Sequence, residues 1–554
     1  MEKIWLKSYP PGVPATVHYD NYSSLIDFYE QQCEKYADNV ACENFGKQMT
    51  YRELNDQSIL FAAYLQKTLG LKKGMRVAIM LPNLLQFPVA MLGILRSGMV
   101  VVNVNPLYTA RELAHQLKDS GAKAILVLEN FVRELQTALP ETDIEHVIVT
   151  KMGDCLGWRG VLFNFIVKYI KKRVPAWKIE NSSWYQDVLK AGKKLTFDAP
   201  ALSSNDIAFL QYTGGTTGLS KGAILTHRNM LANVMQCITW VKSTLTPGKD
   251  TVLTALPLYH IFSLTICCFC FMAVGSRCLL ITNPRDLKTF IRILKKHSIT
   301  VFVGVNTLFN GLLHQDEFKK IDFSKMKATI AGGMALQKAT ADEWQKITGI
   351  NITEGYGLTE ASPVLTINPM TEEHYNGSVG LPISATEVSI RDENNQELPI
   401  GKVGELCGRG PQVMRGYWQK PTETALVMTE DGWLKTGDMA RMDERGYVYI
   451  VDRKKDMVVV SGFNVYPNEI EEVISMHPLV KEVAVVGVPS EQTGEAVKAF
   501  IVPENSELTK ESVMAFCRER LTGYKLPKII EFRDELPKST VGKILRRELR
   551  DGTV

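Results

Sequence analysis

This sequence of 554 residues lacks a long apolar run, a strong excess of one charge sign and any cysteine metal motif. Its longest apolar run, residues 261–274, is shorter than the ~20 residues that cross a bilayer, and residues 1–5 lack the apolar core of a signal peptide. The net charge of +4 argues against a dedicated nucleic-acid binder. The ten cysteines are predicted to be reduced thiols, and Cys267, Cys268 and Cys270, which lie in an apolar run, to pack as small hydrophobes and not as a metal site. We therefore expect a cytoplasmic protein of two or more domains.

Glycine, hydroxyl and cationic side chains are concentrated in residues 212–222. The glycines are Gly214, Gly215, Gly218 and Gly222, the hydroxyls are Thr213, Thr216, Thr217 and Ser220, and the cation is Lys221. Glycine lets the backbone approach a ligand, while hydroxyls, backbone N–H groups and a lysine donate to phosphate oxygens. The apolar residues 207–210 predict a buried strand, at whose end α/β folds bind ligands. The stretch is therefore predicted to be a phosphate-binding loop.

Two other interpretations of this stretch compete with a phosphate loop. A Walker-type loop requires glycine before the lysine and Ser or Thr after it, whereas Ser220 precedes Lys221 and Gly222 follows it. A flexible linker rich in Gly, Ser and Thr is the second. The predicted strand before the stretch and the patterned residues 223–235 after it argue against a linker.

Further motifs follow in order along the chain. They are residues 256–262 with His260, 328–333 with Gly332 and Gly333, 353–360 with Tyr356, Gly357, Thr359 and Glu360, 432–438 with Asp438, 452–456 with Arg453 and Lys455, 461–471 with Gly462, and 537–547 with Lys543. Taken singly, each has an ordinary structural explanation, such as a core histidine, a tight turn, a turn aspartate or a basic tail. Their order and spacing together carry the functional interpretation.

Together with the glycine-rich loop, these motifs resemble those of the ANL superfamily of adenylate-forming enzymes, over nearly the whole chain from Leu25 to Arg547. Within the superfamily the chain looks most like bacterial long-chain fatty-acid–CoA ligases. The resemblance implies an α/β fold with a large N-terminal adenylate-forming domain of layered α/β subdomains (1–452), a hinge (453–456) and a small mobile α+β C-terminal domain (457–554). The alternation of strands and helices before residue 130 also favours a layered parallel architecture.

The resemblance implies a role in nucleotide binding for several of these residues. Residues 213–222, Leu219 included, would hold the phosphates of ATP, with Thr216 and Glu360 as Mg²⁺ ligands. Gly332, Gly333 and Tyr356, which precedes Gly357, would meet the adenine ring. Thr359 would donate to the α-phosphate, Asp438 would accept both ribose hydroxyls, and Arg453 would contact the nucleotide. A carboxylate shared with phosphates suits Mg²⁺ because this ion prefers oxygen ligands.

The resemblance also implies a reaction in two steps that share one site. A fatty carboxylate attacks the α-phosphorus of ATP to give acyl-AMP and pyrophosphate, with Lys543, His260 and Glu360 as the catalytic residues. The small domain then rotates about Lys455, and the thiol of coenzyme A passes along Gly462 to attack the acyl carbonyl. Lys543 is preferred to Lys538 as the catalytic lysine because of its Gly-Lys spacing.

Residues 157–178 combine an apolar helical pattern with basic and aromatic flanks. Val161, Leu162, Phe165, Ile166 and Tyr169 recur at helical spacing, and five cations follow, namely Lys168, Lys171, Lys172, Arg173 and Lys178. This pattern suits peripheral contact with the cytoplasmic face of an anionic membrane. A surface helix that covers the core is the competing interpretation, since one apolar stripe serves either purpose.

Several alternatives stay open in the sequence. The chain has features compatible with a medium-chain or aryl acid CoA ligase, with an enzyme that stops at acyl-AMP, and, from another class, with a non-catalytic lipid-binding protein at a membrane surface. The resemblance is compatible with a homodimer, because many relatives dimerise, but the sequence shows no interface patch. Chain-length preference rests on the resemblance alone. Nucleic acid is not an expected partner.

Overall fold

The computed structural model describes residues 3–213, 220–490 and 492–552. Its largest sheet is parallel in the middle and antiparallel at both ends. The strand order is Leu381–Pro382, Val364–Ile367, Ile352–Gly357, Ala328–Ala331, Val301–Gly304, Thr251–Thr254, Arg277–Leu280, Val40–Asn44 and Lys47–Thr50. Its central strands are buried along their whole length, as expected of a parallel sheet that is covered on both faces.

A second sheet comes from the N-terminal part of the chain and is parallel except at one edge. Its strand order is Ser183–Trp184, His146–Thr150, Ala124–Leu128, Arg76–Met80, Val100–Asn103, Ile207–Thr213 and Lys221–Thr226. The last strand returns antiparallel to Ile207–Thr213, and Thr213 pairs with Lys221. The two ends of the glycine-rich loop are therefore joined by strand pairing.

Two smaller sheets complete the architecture. One is antiparallel and has the order Glu387–Arg391, Gly404–Arg409, Leu434–Met442 and Val448–Arg453. The other lies in the C-terminal part and has the order Phe463–Val465, Val458–Val460, Gly494–Pro503 and Val480–Ser490, with Ile529–Phe532 parallel to Gly494–Pro503. Large α/β layers followed by a small α+β domain confirm the predicted fold class. The exact domain boundaries stay a prediction.

Helices pack between and around these sheets. The α-helices span Leu25–Lys35, Tyr51–Lys67, Gln86–Arg96, Ala110–Ser120, Val132–Ala138, Trp158–Phe165, Tyr185–Gly192, His227–Val241, Ile261–Ser263, Leu287–Lys296, Asn306–Leu313, Asp316–Lys319, Lys338–Thr348, Pro421–Val427, Pro467–Ser475, Lys510–Arg518 and Arg546–Asp551. Short 3₁₀ turns span Ile4–Ser8, Glu129–Phe131, Leu139–Glu141, Thr359–Ala361 and Gly523–Lys525. Ile166–Ile170 and Leu264–Cys270 form π-helical turns.

Local sequence signals account for several helix starts. Thr50 and Glu53 form a capping box at the start of Tyr51–Lys67, because each side chain accepts a hydrogen bond from the other residue's backbone N–H. Thr109 and Glu112 do the same at Ala110–Ser120. The sequence predicts helices that open at residues 50–54 and at Ala110, and both begin there. Their caps lie within four residues of the helix start and need no tertiary partner.

Two local predictions are wrong in detail. The sequence after Gly333 predicts a helix that begins at Ala335, but the helix begins at Lys338. The preceding backbone is held by tertiary bonds instead, since the Leu336 amide donates to Glu354 Oε1 at 3.2 Å. Asp438, expected at a strand end or in a turn, lies inside the strand Leu434–Met442 and pairs with Arg453. A register irregularity lets this strand continue past Gly437, whose φ is +74°.

A buried charge network joins the last helix to the region of the predicted hinge. Arg546 forms ion pairs with Asp452 at 3.2 Å and with Glu471 at 2.7 Å, and it donates to Asn468 Oδ1. The Asp452 side chain is fully buried, although its backbone belongs to the antiparallel sheet Glu387–Arg453. Asp452 therefore couples that sheet to the C-terminal domain.

We expect Arg546→Ala to loosen this junction, because removing one partner of a buried ion pair costs about 3–5 kcal/mol and leaves the other charge unpaired. Hydrogen–deuterium exchange of the helix Pro467–Ser475 should then rise by about a hundredfold. Arg547→Ala is the matched control, since Arg547 pairs only at the surface with Asp551. Equal exchange in the two variants would contradict a structural role for the network.

Candidate active site

The carboxyl ends of the central parallel strands bring several predicted site residues to one edge of the largest sheet. Tyr356 lies at the end of Ile352–Gly357 and Glu360 in the turn that follows. Gly332 and Gly333 directly follow Ala328–Ala331. Ligands of open α/β sheets bind at this edge. An aromatic cluster stabilises the underlying strands, since the ring of Trp344 lies 5.1 Å from that of Phe302.

Tyr356, Asp438 and Arg453 form one connected cluster. The Tyr356 hydroxyl donates to Asp438 Oδ2 at 2.5 Å, and Arg453 Nε lies 3.3 Å from Asp438 Oδ1. Burial and then the Asp438 carboxylate raise the pKa of Tyr356 well above its usual value, so this phenol stays a donor. Each Asp438 oxygen keeps a second lone pair. The cluster can therefore still accept hydroxyl donors from a ligand.

The diglycine after Ala328–Ala331 is required by close packing. A Cβ at Gly332 would lie 3.1 Å from the Phe262 ring and 3.2 Å from the Gly355 carbonyl oxygen. Gly333 has a φ of +79°, which disfavours other residues. Gly357 is equally restricted, because an added Cβ would lie 2.0 Å from the Pro363 carbonyl oxygen. These contacts explain the glycines without a ligand, and their roles toward adenine stay a prediction.

Tyr417 contacts both Glu360 and Lys221. The Tyr417 hydroxyl donates to Glu360 Oε1 at 2.6 Å. Lys221 Nζ lies 5.4 Å from the centre of the Tyr417 ring and forms an ion pair with Glu423. Tyr417 and Glu423 were missed by sequence reasoning, because each is about 200 residues or more from Lys221. The aromatic pair at 417–418 before Pro421 was the available signal.

The described ends of the glycine-rich loop are held by neighbouring elements. His115 Nε2 lies 3.1 Å from the Ser220 carbonyl oxygen, and a Cβ at Gly222 would lie 3.0 Å from the Tyr212 ring. Thr213 and Lys221 are paired across the hairpin. The predicted phosphate-loop residues Gly214, Gly215, Thr216, Thr217, Gly218 and Leu219 lie outside the described residues.

Lys543 reaches the same region from the C-terminal domain. Its turn is held by the Ser539 amide, which donates to the Lys543 carbonyl at 2.7 Å, and by Thr307 Oγ1, which donates to the Gly542 carbonyl at 3.0 Å. Burial and then the charge of Arg453 lower the pKa of Lys543 to about 8, while Asp438 opposes this effect. Thr307 belongs to the large domain, so this turn is docked across the domain boundary.

His260 lies close enough to Lys543 to feel its charge. Burial and then Lys543 lower the pKa of His260 to about 4, so its imidazole is neutral near pH 7. Its Nδ1 accepts from the Phe262 amide at 3.3 Å, which fixes the ring at the start of the helix Ile261–Ser263. Lys538, the alternative catalytic lysine, instead pairs with Glu482 at 2.5 Å within the C-terminal domain. The geometry therefore favours Lys543.

Two of the predicted residues belong to the domain junction instead. Lys455 lies between the sheets, where burial lowers the pKa of its ammonium. Gly462 lies in the turn between Val458–Val460 and Phe463–Val465 with a φ of +83°, and a Cβ there would meet no described atom within 4 Å. The face that contains Gly462 is open surface in this arrangement. Thr359 lies half-buried in the turn before Glu360.

A half-buried lysine with a lowered pKa, an aspartate–arginine–tyrosine cluster and a carboxylate at the end of parallel strands suit an enzyme that activates a carboxylate with a nucleotide. The chain belongs to the AMP-binding enzyme family: the family model matches residues 29–418, and the model of the AMP-binding enzyme C-terminal domain matches residues 469–543. Together these matches account for both the large and the small domain.

Relatives and solved structures agree with this family over the full length of the chain. The long-chain-fatty-acid–CoA ligase of Yersinia pestis is 55% identical over 100% of this chain and 99% of its own length. The enzyme of the same name from Escherichia coli O157:H7 is also 55% identical, over 100% and 98%. The structure of ATP-bound MatB from Rhodopseudomonas palustris matches with a TM-score of 0.82 at 28% identity, over 95% of this chain and 98% of MatB.

Proposed function

We propose that this protein is an ATP-dependent ligase that joins long-chain fatty acids to coenzyme A through an acyl-AMP intermediate, with release of AMP and pyrophosphate. The observation that carries the proposal is the position of Lys543, which is docked beside Asp438, Arg453 and His260. Family membership and the relatives named above support the same reaction. The acyl-CoA product is a substrate for fatty-acid degradation.

In the first step, the residues act by positioning and charge stabilisation. Asp438 and Arg453 orient the nucleotide, and the ammonium of Lys543 offsets the negative charge that develops around the α-phosphorus. The pKa of His260, about 4, keeps its imidazole neutral near pH 7. The neutral ring orients the acyl carboxylate and takes no proton from it, because a carboxylate carries none. The fatty acid already carries the attacking oxygen as a carboxylate, so the step needs no general base.

Glu360 fits the role of a magnesium ligand. Tyr417 occupies only one of its oxygens, and Mg²⁺ commonly uses one or two carboxylates together with substrate phosphates and water. Among the described residues no group of three or more His, Cys, Asp or Glu could hold a metal alone, which agrees with an ion shared with a nucleotide. Glu360 would hold it, together with Thr216, and the ion would supply charge neutralisation on the phosphates.

In the second step, the C-terminal domain turns about Lys455 and withdraws Lys543, so that Gly462 faces the acyl-AMP. The open surface around Gly462 supports this proposal, because that face has no role in the docked arrangement. The thiol of coenzyme A then attacks the acyl carbonyl, a thioester bond forms, and AMP leaves with the bonding electrons. The thiol proton passes to solvent or to the departing phosphate.

The acyl chain is proposed to run along the π-helical turn Leu264–Cys270, which follows His260 and is buried throughout. Turns of this kind often mark functional sites. Phe262, half-buried against Gly332, lies between this turn and the diglycine. Each buried methylene contributes about 0.8 kcal/mol to the binding free energy of the acyl chain. Two more carbons therefore add ~1.6 kcal/mol, which is a preference of about fifteenfold at most between neighbouring even chain lengths. A broad range of chain lengths is the consequence.

Membrane contact of the segment 158–173 is part of the proposal. Trp158, Val161, Leu162, Tyr169 and Ile170 each expose more than half of their surface. These side chains do not cover the core, which was the competing interpretation. Three exposed cations, Lys171, Lys172 and Arg173, follow them directly. We further propose that the protein is cytoplasmic and that this patch captures lipid substrates at the cytoplasmic face.

Two related points complete the proposal. None of the described helices has both the length and the apolar character needed to cross a bilayer. A homodimer stays a prediction of the family resemblance.

An aromatic contact extends the apolar patch toward the largest sheet. The ring of the exposed Phe45 lies 5.0 Å from that of the half-buried Phe163.

Half-reactions of the purified protein test the proposed function. Lys543→Ala should slow pyrophosphate release from ATP and oleate by at least about a hundredfold, yet largely spare conversion of supplied oleoyl-AMP to oleoyl-CoA. Lys455→Pro should do the reverse, because proline fixes φ at the hinge. Lys538→Ala is the matched control and should leave both half-reactions near the wild-type rate. Release of orthophosphate and ADP, or equal loss of both half-reactions in each variant, would contradict the proposal.

The pKa of Lys543 predicts a basic limb in the pH profile. Below pH 8 the ammonium is charged and binds phosphate, whereas above it the charge is lost. The value of kcat/KM for ATP in the first half-reaction should therefore fall up to tenfold per pH unit above about pH 8, since this ratio reports ionisations of the free enzyme. Lys543→Arg should shift the limb to higher pH, because arginine stays protonated. If Lys543→Arg left the basic limb of the pH profile unchanged, a group other than Lys543 would cause it and the prediction would be wrong.

Sedimentation with vesicles that contain anionic phosphatidylglycerol tests the membrane patch. Combined Lys171→Glu, Lys172→Glu and Arg173→Glu substitution should weaken binding by at least about a hundredfold, since each basic residue near such a surface contributes about 1 kcal/mol. Combined substitution of Lys319, Lys320 and Lys325 by Glu changes the net charge equally at exposed positions elsewhere and is the control. If both triple variants lost vesicle binding to the same extent, the loss would come from the change in net charge and the proposed membrane patch would be contradicted.

A further inference from the structure

A cavity lies apart from the candidate active site. Its volume is about 230 Å³, and its lining includes Lys73, Arg76, Asp206, Leu210, Arg415 and Trp418. We call it the basic cavity. Its three cations and one carboxylate leave two net positive charges. The volume is below the roughly 300 Å³ at which pockets for drug-sized ligands begin, so a ligand here is small.

The basic cavity lies at the opposite edge of the second sheet from the glycine-rich loop. Arg76, Val100 and Ile207 line it, and each is the first residue of its strand. These strands are parallel, so their first residues share one edge. Thr213, at the other end of Ile207–Thr213, leads into the glycine-rich loop. Six residue steps of about 3.3 Å separate the two ends by about 20 Å.

Two hydrogen-bond donors in the cavity have no acceptor. Trp418 Nε1 is buried, and no described atom accepts its hydrogen bond. The Arg415 side chain is exposed and has no hydrogen bond or ion pair with a described residue. A buried donor without an acceptor, such as Trp418 Nε1, is uncommon and calls for a ligand or water. The exposed Arg415 guanidinium is free to donate to a ligand in the cavity.

The other cations of the cavity are held in place by the fold. Arg76 donates to the Ser120 carbonyl at 2.8 Å and to the Gly121 carbonyl at 2.9 Å, with its guanidinium 5.6 Å from the Trp418 ring centre. Lys73 pairs with Asp206 at 2.7 Å. The positive charge is therefore preorganised before any ligand arrives, and Asp206 neutralises only one of the three cations.

We propose that the basic cavity is a binding site for a phosphate group, either free phosphate or a small phosphomonoester. A phosphate group carries about 1.5 to 2 negative charges near pH 7, which nearly balances the two net positive charges of the lining. It accepts several hydrogen bonds, and the planar guanidinium of Arg415 can donate two of them in parallel. Trp418 also lines the cavity, and its buried Nε1 still lacks a described acceptor.

The backbone beside the cavity leads directly to the candidate active site. The Arg415 amide donates to the Ile224 carbonyl at 3.1 Å, and the Trp418 amide donates to the Gly222 carbonyl at 2.8 Å. Between them, Tyr417 donates to Glu360. A phosphate bound by Arg415 and Trp418 restrains the segment that contains Tyr417. The site is thereby placed to influence Glu360 and Lys221 without contacting either.

Nuclear magnetic resonance of the full-length protein with ¹⁵N-labelled tryptophan tests the proposal without ATP or fatty acid. Titration with inorganic phosphate should shift one indole signal saturably, and Trp418→Phe should remove that signal. Arg415→Ala should weaken the phosphate affinity by at least tenfold. Arg518→Ala, at an exposed position on Lys510–Arg518, is the matched control and should not change it.

Titrations with other ligands and with a variant of the glycine-rich loop identify the ligand and its location. Glycerol 3-phosphate that binds more tightly than phosphate supports a phosphomonoester ligand, whereas weaker binding supports free phosphate. Acetate that shifts the Trp418 signal with equal affinity would overturn the phosphate assignment. Lys221→Ala should leave the titration unchanged; if it abolishes the shift while Arg415→Ala does not, the phosphate binds in the glycine-rich loop and the proposal fails. A Trp418 signal that phosphate leaves unmoved means that water alone satisfies the cavity.

Discussion

Burial of the Lys543 ammonium beside Arg453 is the interaction on which the proposed site depends. Two cations in a partly desolvated space repel each other, and Asp438 offsets only part of this repulsion. A nucleotide phosphate supplies the missing negative charge. A nucleotide that binds more tightly when Lys543 is docked must also stabilise the docked position of Lys543. The two effects have the same coupling free energy. Once pyrophosphate leaves, the repulsion returns and favours withdrawal of Lys543, so the order of the two proposed steps follows from charge.

The junction of the two domains limits how such a withdrawal can occur. Asp452 is paired through its backbone with Met439 in the antiparallel sheet, while its buried side chain accepts from the Asn468 amide at 2.8 Å and pairs with Arg546. Asn468 and Arg546 both belong to the C-terminal domain. Rotation about Lys455 must therefore either pivot close to Asp452 or exchange its partners, because an unpaired buried carboxylate costs several kcal/mol. The proposed hinge is thus a charged pivot and not a free linker.

The sequence predicts those features of the fold that depend on nearby residues. Capping boxes fix the starts of Tyr51–Lys67 and Ala110–Ser120, and apolar runs identify the buried strands. The start at Lys338 could not be predicted, because Glu354 and Asn306 hold the preceding backbone from other strands and helices. Tyr417 and Glu423 were missed for the same reason. Their contacts to Glu360 and Lys221 exist only once distant segments are folded together.

The two interpretations of residues 157–178 show where periodicity alone fails. A helix that covers the core and a helix that meets a membrane share one apolar stripe, and only the neighbouring structure distinguishes them. Here Val167 and Gly160 face inward, and Lys168 is turned to the buried Glu129 at 2.9 Å. The inward contacts are made by a glycine, a valine and the lysine ammonium, which leaves most of the large apolar side chains outside. A stripe whose bulky residues are mostly exposed is the reverse of a core helix, and contact with an apolar phase outside the protein is what would stabilise it.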